Sequence, residues 1–391
     1  MRTATILSAI SLLLGLGAGP ICSAPAARPA PDDLPRAEAH GQLQQVFAFA
    51  QAMPTGVAVS EDGRIFVSFP RWGDDVPYTV AELRDGQVHP YPDAATNRAS
   101  DSDPASHFIS VQSVVADRHG RLWVLDTAAP GFSAPRPGGA KLVAIDLAGD
   151  RVAKTIVLGP DVMTPATYLN DVRFEFGAGR EGVAYLTDSS IGSGSGIIVV
   201  DLASGHAQRR LAGHHSVLPD PDFLPQIEGE TLMQRPASGE PSAWQVAADG
   251  IALSPDGLTL YYSPLSSRHL FSVPTRLLRD PGASETALAD AVADLGEKGA
   301  SDGLEADAQG AIYAGDYEHN SIRRRSPDGR WQTLAQDPRI LWPDSLAIGP
   351  DGYLYFTANQ LHRQAAFHGG HDQRRKPYSL MRIRIDAAPV P

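Results

Sequence analysis

The chain has 391 residues, with 45 Asp and Glu against 33 Lys and Arg and a formal net charge of −12. That balance argues against nucleic acid or an anionic membrane surface as a partner. Cys22 is the only cysteine and falls within the N-terminal leader, so the mature chain holds no disulfide, thiol nucleophile or thiolate metal site.

Arg2, an apolar run from Ile6 to Leu16, and the small residues and prolines that follow have the anatomy of a cleaved secretory signal over residues 1–26. The run is too short and too glycine-rich for a membrane span. A secreted or periplasmic protein is therefore expected, free of the membrane after cleavage and monomeric. Residues 27–40 are rich in Pro and Ala and are expected to be disordered. Residues 41–391 then read as one domain. Leu43 to Phe49 alternates as a strand and is expected to pair with Leu380–Ile383, closing a ring of sheets without an open edge.

From Pro54 onward one pattern recurs six times: a short apolar strand, a turn containing glycine, and a second strand rich in β-formers. The first copy is Val57–Val59 with Ile65–Val67, and the second is Ser113–Ala116 with Leu122–Leu125. The third is Asn170–Phe174 with Val183–Leu186. The fourth and clearest is Ile251–Leu253, the turn Ser254-Pro255-Asp256-Gly257, and Leu258–Tyr262. Asp302–Ala306 with Ile312–Ala314 and Asp344–Ile348 with Tyr353–Phe356 complete the set. The fold class is all-β, a six-bladed β-propeller.

Between the copies, Arg71 to Phe108 reads as an insertion capping one face. Lys141–Asp146 and Gly196–Asp201 read as third strands. His214 to Gln245 has little alternation and is the candidate lid, and Leu277 to Leu295 reads as a short helix outside the fourth blade.

In a propeller the first strand of each blade lines the central channel, so residues at its entrance converge from distant parts of the chain. Asn170, Asp171, Asp249, Asp302 and Asp344 hold this position in four copies, with Thr55 and Gln112 or Ser113 in the other two. Such a ring suits a small-molecule ligand, a general base or a hard cation such as Ca2+, for which Asp249 and Asp302 are the metal candidates. The plainer account of Asp249-Gly250 and Asp302-Gly303 is turn chemistry. Trp342, Tyr168 and Trp244 lie near strand entrances, where they either stack on a planar ligand or pack between blades. His214-His215 and the trio His362, His368 and His371 lack metal-ligand spacing. Ser266 and Ser267 lack a nucleophile context, and Arg374-Arg375-Lys376 reads as a solvated loop.

Four segments carry a family resemblance: Arg121–Thr127, Ala184–Ser189, His214-His215-Ser216, and Tyr262–Ser267 with Ser272–Thr275. Through them the chain resembles the Yellow and major royal jelly protein family in its bacterial branch. The resemblance implies a secreted six-bladed propeller that binds a small amine or other ligand at the channel mouth, isomerises a dopachrome-like indole, or has no activity. The disulfides of insect members have no cysteines here. The chain is more distantly similar to gluconolactonase and regucalcin propellers. That likeness implies calcium at Asp249 and Asp302 and substrate contact at Asn170, but Pro54-Thr55-Gly56 stands where the first-blade Glu ligand belongs.

Three functions follow. The first is binding or isomerisation of a small organic ligand, with Asp249 or Asp302 moving a proton and Asn170 holding an oxyanion. The second is calcium-dependent lactone hydrolysis. The third is a non-enzymatic interaction scaffold.

Overall fold

The computed structural model describes residues 39–191 and 194–390. The expected signal peptide and most of the 27–40 segment lie outside that range. His40, at the end of that segment, pairs with Gln336 as an isolated bridge.

The repeated hairpins become six four-stranded antiparallel sheets. Blade 1 runs Val57–Val59, Ile65–Ser68, Val80–Arg84 and Gln87–Pro90 from the axis outward, and blade 2 runs Val111–Ala116, Arg121–Asp126, Lys141–Asp146 and Arg151–Val157. Blades 3, 4 and 5 begin with Leu169–Glu175, Ala248–Leu253 and Ser301–Ala306. Blade 6 is assembled from both ends of the domain: Pro343–Ile348, Tyr353–Ala358, Tyr378–Arg384 and, outermost, Leu43–Phe49. The closing pair has Gln44 opposite Arg382 and Phe47 opposite Leu380. Each innermost strand packs on the next and the sixth packs on the first, so the blades form a closed ring.

Local chemistry explains the hairpins. In three turns a serine hydroxyl donates to the aspartate two residues on, Ser60 to Asp62, Ser254 to Asp256 and Ser326 to Asp328, at 2.5–2.6 Å. Apolar residues of the middle strands interlock between neighbouring blades. Trp123, Leu125 and Leu142 of blade 2 pack with Leu169, Ala184 and Leu186 of blade 3, all buried.

Two expectations change. The Arg71–Phe108 segment carries the two outer strands of blade 1 and is only partly an insertion. The helical reading of Leu277–Leu295 resolves into two single-turn helices, Thr275–Arg279 and Glu285–Asp290, followed by the outer strand Ala293–Glu297 of blade 4. Outer strands are half solvated and polar, so they lack the alternation that marks inner ones.

Blade 2 contains a buried ion pair. Lys141 Nζ donates to Asp126 Oδ2 at 2.8 Å, and Asp126 also accepts the backbone N–H groups of Ile109, Ser110 and Ala128. Asp126→Ala leaves the Lys141 ammonium with carbonyl acceptors but no countercharge and strands three amide donors in the core, so a loss of about 3–5 kcal/mol is expected. A urea melt of the variant within 1 kcal/mol of the parent would show that the pair carries no such weight.

Candidate functional site

Five of the six innermost strands share one irregularity near the start. The ladder register slips between Val111 and Ser113, Leu169 and Val172, Ala248 and Ile251, Ser301 and Leu304, and Pro343 and Leu346. The residues inside these bulges are Gln112, Asn170 and Asp171, Asp249, Asp302 and Asp344. A bulge frees a residue from the ladder and re-aims its side chain, and here it brings every one of these residues to a single cavity. Ser113 and Ser345 line it as well, so both alternatives raised for blade 2 belong to the ring. Thr55 sits just outside. Its hydroxyl donates to the Gln112 carbonyl at 3.1 Å, which spends it on blade-to-blade contact.

The glycines after Asp249 and Asp302 have a tertiary reason. A Cβ on Gly250 would lie 2.3 Å from the Asp302 carbonyl oxygen, and one on Gly303 would lie 2.7 Å from that of Asp344. The Asp-Gly pairs are thus points where adjacent blades touch at the axis, and the turn reading gives way. Hydroxyls on second strands complete the joint. Ser68 donates to the Gln112 carbonyl, Thr187 to that of Asp249, and Thr357 to that of Thr55, each at 2.7–2.9 Å.

The ring carboxylates are crowded and dry. Burial, reinforced by the charge of Asp302, pushes Asp249 and Asp344 well above the usual carboxylate range. Burial lifts Asp302 to about 6, opposed by hydrogen bonds from Asp249 and from Trp342. Asp249 is therefore the protonated partner, donating to the Asp302 carboxylate. Partners from neighbouring strands fix each group: Trp342 Nε1 donates to Asp302 at 2.7 Å, Ser189 Oγ to Asp249 at 2.9 Å, Asn359 Nδ2 to Asp344 at 2.6 Å, and Ser113 Oγ to Asp171 at 2.6 Å. Asn170 points its amide at Ser189 Oγ.

The cavity encloses about 10 Å3, room for roughly one water. Its lining of carboxylates, hydroxyls and side-chain amides has the chemistry of a hard-cation site. Each carboxylate has one oxygen engaged by the donors just named. Among the described residues no three His, Cys, Asp or Glu side chains are grouped to hold a metal. Within the ring Asp249 and Asp302 are the residues that would hold such a cation.

Two further residues belong to the site, and Lys298 lies near enough for its charge to act on Asp249 and Asp302. Ser189 and Asn359 each follow the end of a second strand, a shared register that marks them in the sequence. Lys298 carries no such mark. Fully buried, it has its ammonium pulled down to about 7 by burial, against the opposing charges of Asp316, Asp220 and Asp249.

Aromatic side chains roof the ring. Tyr168 OH donates to Gln112 Oε1 and accepts from Trp72 Nε1. Trp342, 1% exposed, stacks on Tyr317 at 4.3 Å, so at least one of its faces is occupied by packing. Residues 218–246, which cover most of the candidate lid and extend one residue past it, lie over this layer as a strap whose Phe223, Ile227 and Leu232 pack with Trp342, Leu361 and Phe367. Ser266 anchors it, bonding Val246 N, the Trp244 carbonyl and Asp220 N. His214 caps its own 3-10 turn through Ser216, His362 Nε2 meets Glu228 at 2.7 Å, and His368 meets the His362 carbonyl. These histidines form no metal cluster.

Residues 109–389 match the model of the family described as Major royal jelly protein. The chain belongs to the major royal jelly protein family. As a member it is 30% identical over 331 residues to Protein yellow of Drosophila subobscura, covering 79% of this chain and 53% of that protein. It is 31% identical over 264 residues to Protein yellow of Drosophila melanogaster, covering 63% and 46%. The chain spans about half the length of the curated relatives it matches. Its fold is shared with regucalcin from Agrobacterium tumefaciens, at TM-score 0.53, 14% identity and coverage of 88% and 95%. It is shared also with a gluconolactonase from Xanthomonas campestris, at TM-score 0.51, 16% identity and coverage of 91% and 90%. No helix among the described residues is long and apolar enough to cross a membrane.

Proposed function

We propose that the carboxylate ring binds a small enolisable carbonyl compound and isomerises it by proton transfer. The observation that carries this reading is the unequal hold on protons of two touching acids, Asp249 far above the usual range and Asp302 near 6. Pairs of carboxyls pushed apart in this way divide into an acid and a base. In this reading Asp302, ionised at neutral pH, takes a proton from the carbon next to the carbonyl. Asp249 delivers one to the other end of the rearranging system, and the Asn170 amide steadies the oxygen charge. Asp171 and Asp344 wall the site, Thr55 braces the Gln112 strand from outside it, and Trp342 sets the orientation of Asp302. One proton leaves and one arrives, so no co-reactant is needed.

The ligand must displace part of the aromatic roof, which makes the strap the moving part. Family membership supports a planar, dopachrome-like indole as the first substrate to test. The leader expected at 1–26 supports a reaction outside the cytoplasm. Lactone hydrolysis finds less support, because Pro54-Thr55-Gly56 stands where the first-blade Glu ligand of lactonase propellers belongs.

Dopachrome decay, followed by its visible absorbance, is expected to be accelerated at least ~100-fold by the wild-type protein over Asp249→Asn, the usual scale for losing a general acid. Equal rates for the wild type, the variant and buffer alone would end this reading.

A further inference from the structure

A second cleft lies away from the ring, between the strap and the loop at residues 362–375, with a volume of about 550 Å3. That size is within the range of small-ligand sites. Four guanidinium groups stand in its lining. Arg235, Arg363, Arg374 and Arg375 face it, with His362 and His368, against the carboxylates Glu228, Glu230 and Asp372. In a chain of net charge −12 this is a local reversal of sign.

The ion pairs divide these groups in two. Glu228 is taken by Arg363 and His362, and Asp372 by Arg374, which also reaches Asp74. Arg235 and Arg375 have no carboxylate within salt-bridge distance among the described residues. The Arg235 guanidinium reaches only the carbonyls of Thr231 and Phe367, at 2.9 and 3.5 Å. Arg375 makes its hydrogen bonds through its backbone, with the Gln360 amide, and its side chain is exposed.

His362 supplies an independent observation. Only 5% exposed, it lines the cleft with Nε2 bound to Glu228 and Nδ1 without a partner among the described residues. Buried polar atoms are nearly always satisfied, and a bound ligand or water is one way an exception is completed.

We propose that this cleft binds a small doubly charged oxyanion, held between the guanidinium forks of Arg235 and Arg375. Two planar forks, each without a carboxylate of its own, match the geometry of a dicarboxylate or a phosphate group. Arg363 and Arg374 add positive potential while Glu228 and Asp372 hold them in place. The proposal does not depend on the chemistry of the carboxylate ring.

The test is isothermal titration calorimetry of the full mature protein with inorganic phosphate and, separately, with succinate and citrate, chloride serving as the monovalent control. Saturable binding of phosphate or of a dicarboxylate, but not chloride, is expected, and the stronger of the two identifies the source of the anion. Arg375→Gln should weaken it at least 10-fold with no change in melting temperature, since that side chain has no bond to lose. Arg235→Gln should weaken it as much, its melting curve reporting separately on the strap. No saturable binding of any dianion by the wild-type protein, or binding by Arg375→Gln equal to wild type, overturns the proposal.

Discussion

Asp302→Asn is expected to make the protein more stable at pH 8 and to abolish its turnover. Folded Asp302 releases its proton near 6, whereas its ordinary value is 3.8. The folded state therefore binds more protons than the unfolded chain across that interval. The stability that Asp302 contributes is complete below 3.8 and is lost as pH rises through 6. Above pH 6 the buried charge costs about 3 kcal/mol, from 1.36 kcal/mol for each pH unit of displacement. Asparagine does not titrate. Its carbonyl still accepts from Trp342 Nε1, and its amide replaces Asp249 as the donor between the two residues. The variant should exceed the parent by roughly 1–3 kcal/mol at pH 8, and the difference should vanish toward pH 4. Removing the charge also relieves Asp249 and Asp344, which it raises. Urea melts at both pH values, paired with the dopachrome assay, decide the matter. A destabilised variant at pH 8 would show that the carboxylate contributes to folding, and retained turnover would show that Asp302 is not the base. Stability gained as function is lost is the signature of a strained site.

Removing residues before Ala50 should unmake the ring closure. Leu43–Phe49 is the fourth strand of blade 6, and without it Tyr378–Arg384 becomes an open edge. Phe49, 3% exposed, leaves a cluster with Phe47 and Phe69, at centroid distances of 4.8 and 5.5 Å. Leu43 and Val46 are partly buried in the same way. At about 1.5–3 kcal/mol for a large apolar side chain fully buried, and a fraction of that for each of the three partly buried ones, the loss is a large share of the stability of an ordinary domain. The bonds from Gln45 to Ser379 and from Arg382 to Gln44 go with it. A melting temperature lower by more than ~10 °C, or association through the exposed edge, is the expected result. An unchanged melt in a monomeric truncated protein would show that three strands suffice for blade 6.

Much of this architecture is written in the chain. Inner strands are buried on both sides and read as apolar runs, and their turns carry residues chosen for local bonding, so six hairpins can be counted along the sequence. The closing strand is legible because Leu43–Phe49 alternates and the last blade otherwise lacks a partner. The ring residues Asn170, Asp171, Asp249, Asp302 and Asp344 are legible by position, at the start of each first strand.

Other features are decided only by neighbours distant in sequence. The bulges that aim these side chains are slips between strands, and a strand alone has no register. Gly250 and Gly303 look like turn glycines until the next blade's carbonyl is seen in the space of a Cβ. Outer strands such as Ala293–Glu297 are half solvated, and so carry no period to read. The proton held at Asp249, the lowered Lys298 and the unpaired arginines of the second cleft depend on burial and on which charges lie nearby. Local sequence sets hairpins because their bonds are local. Proton affinities at the axis are set by desolvation and by charges brought in from several blades, and these exist only once the ring has closed.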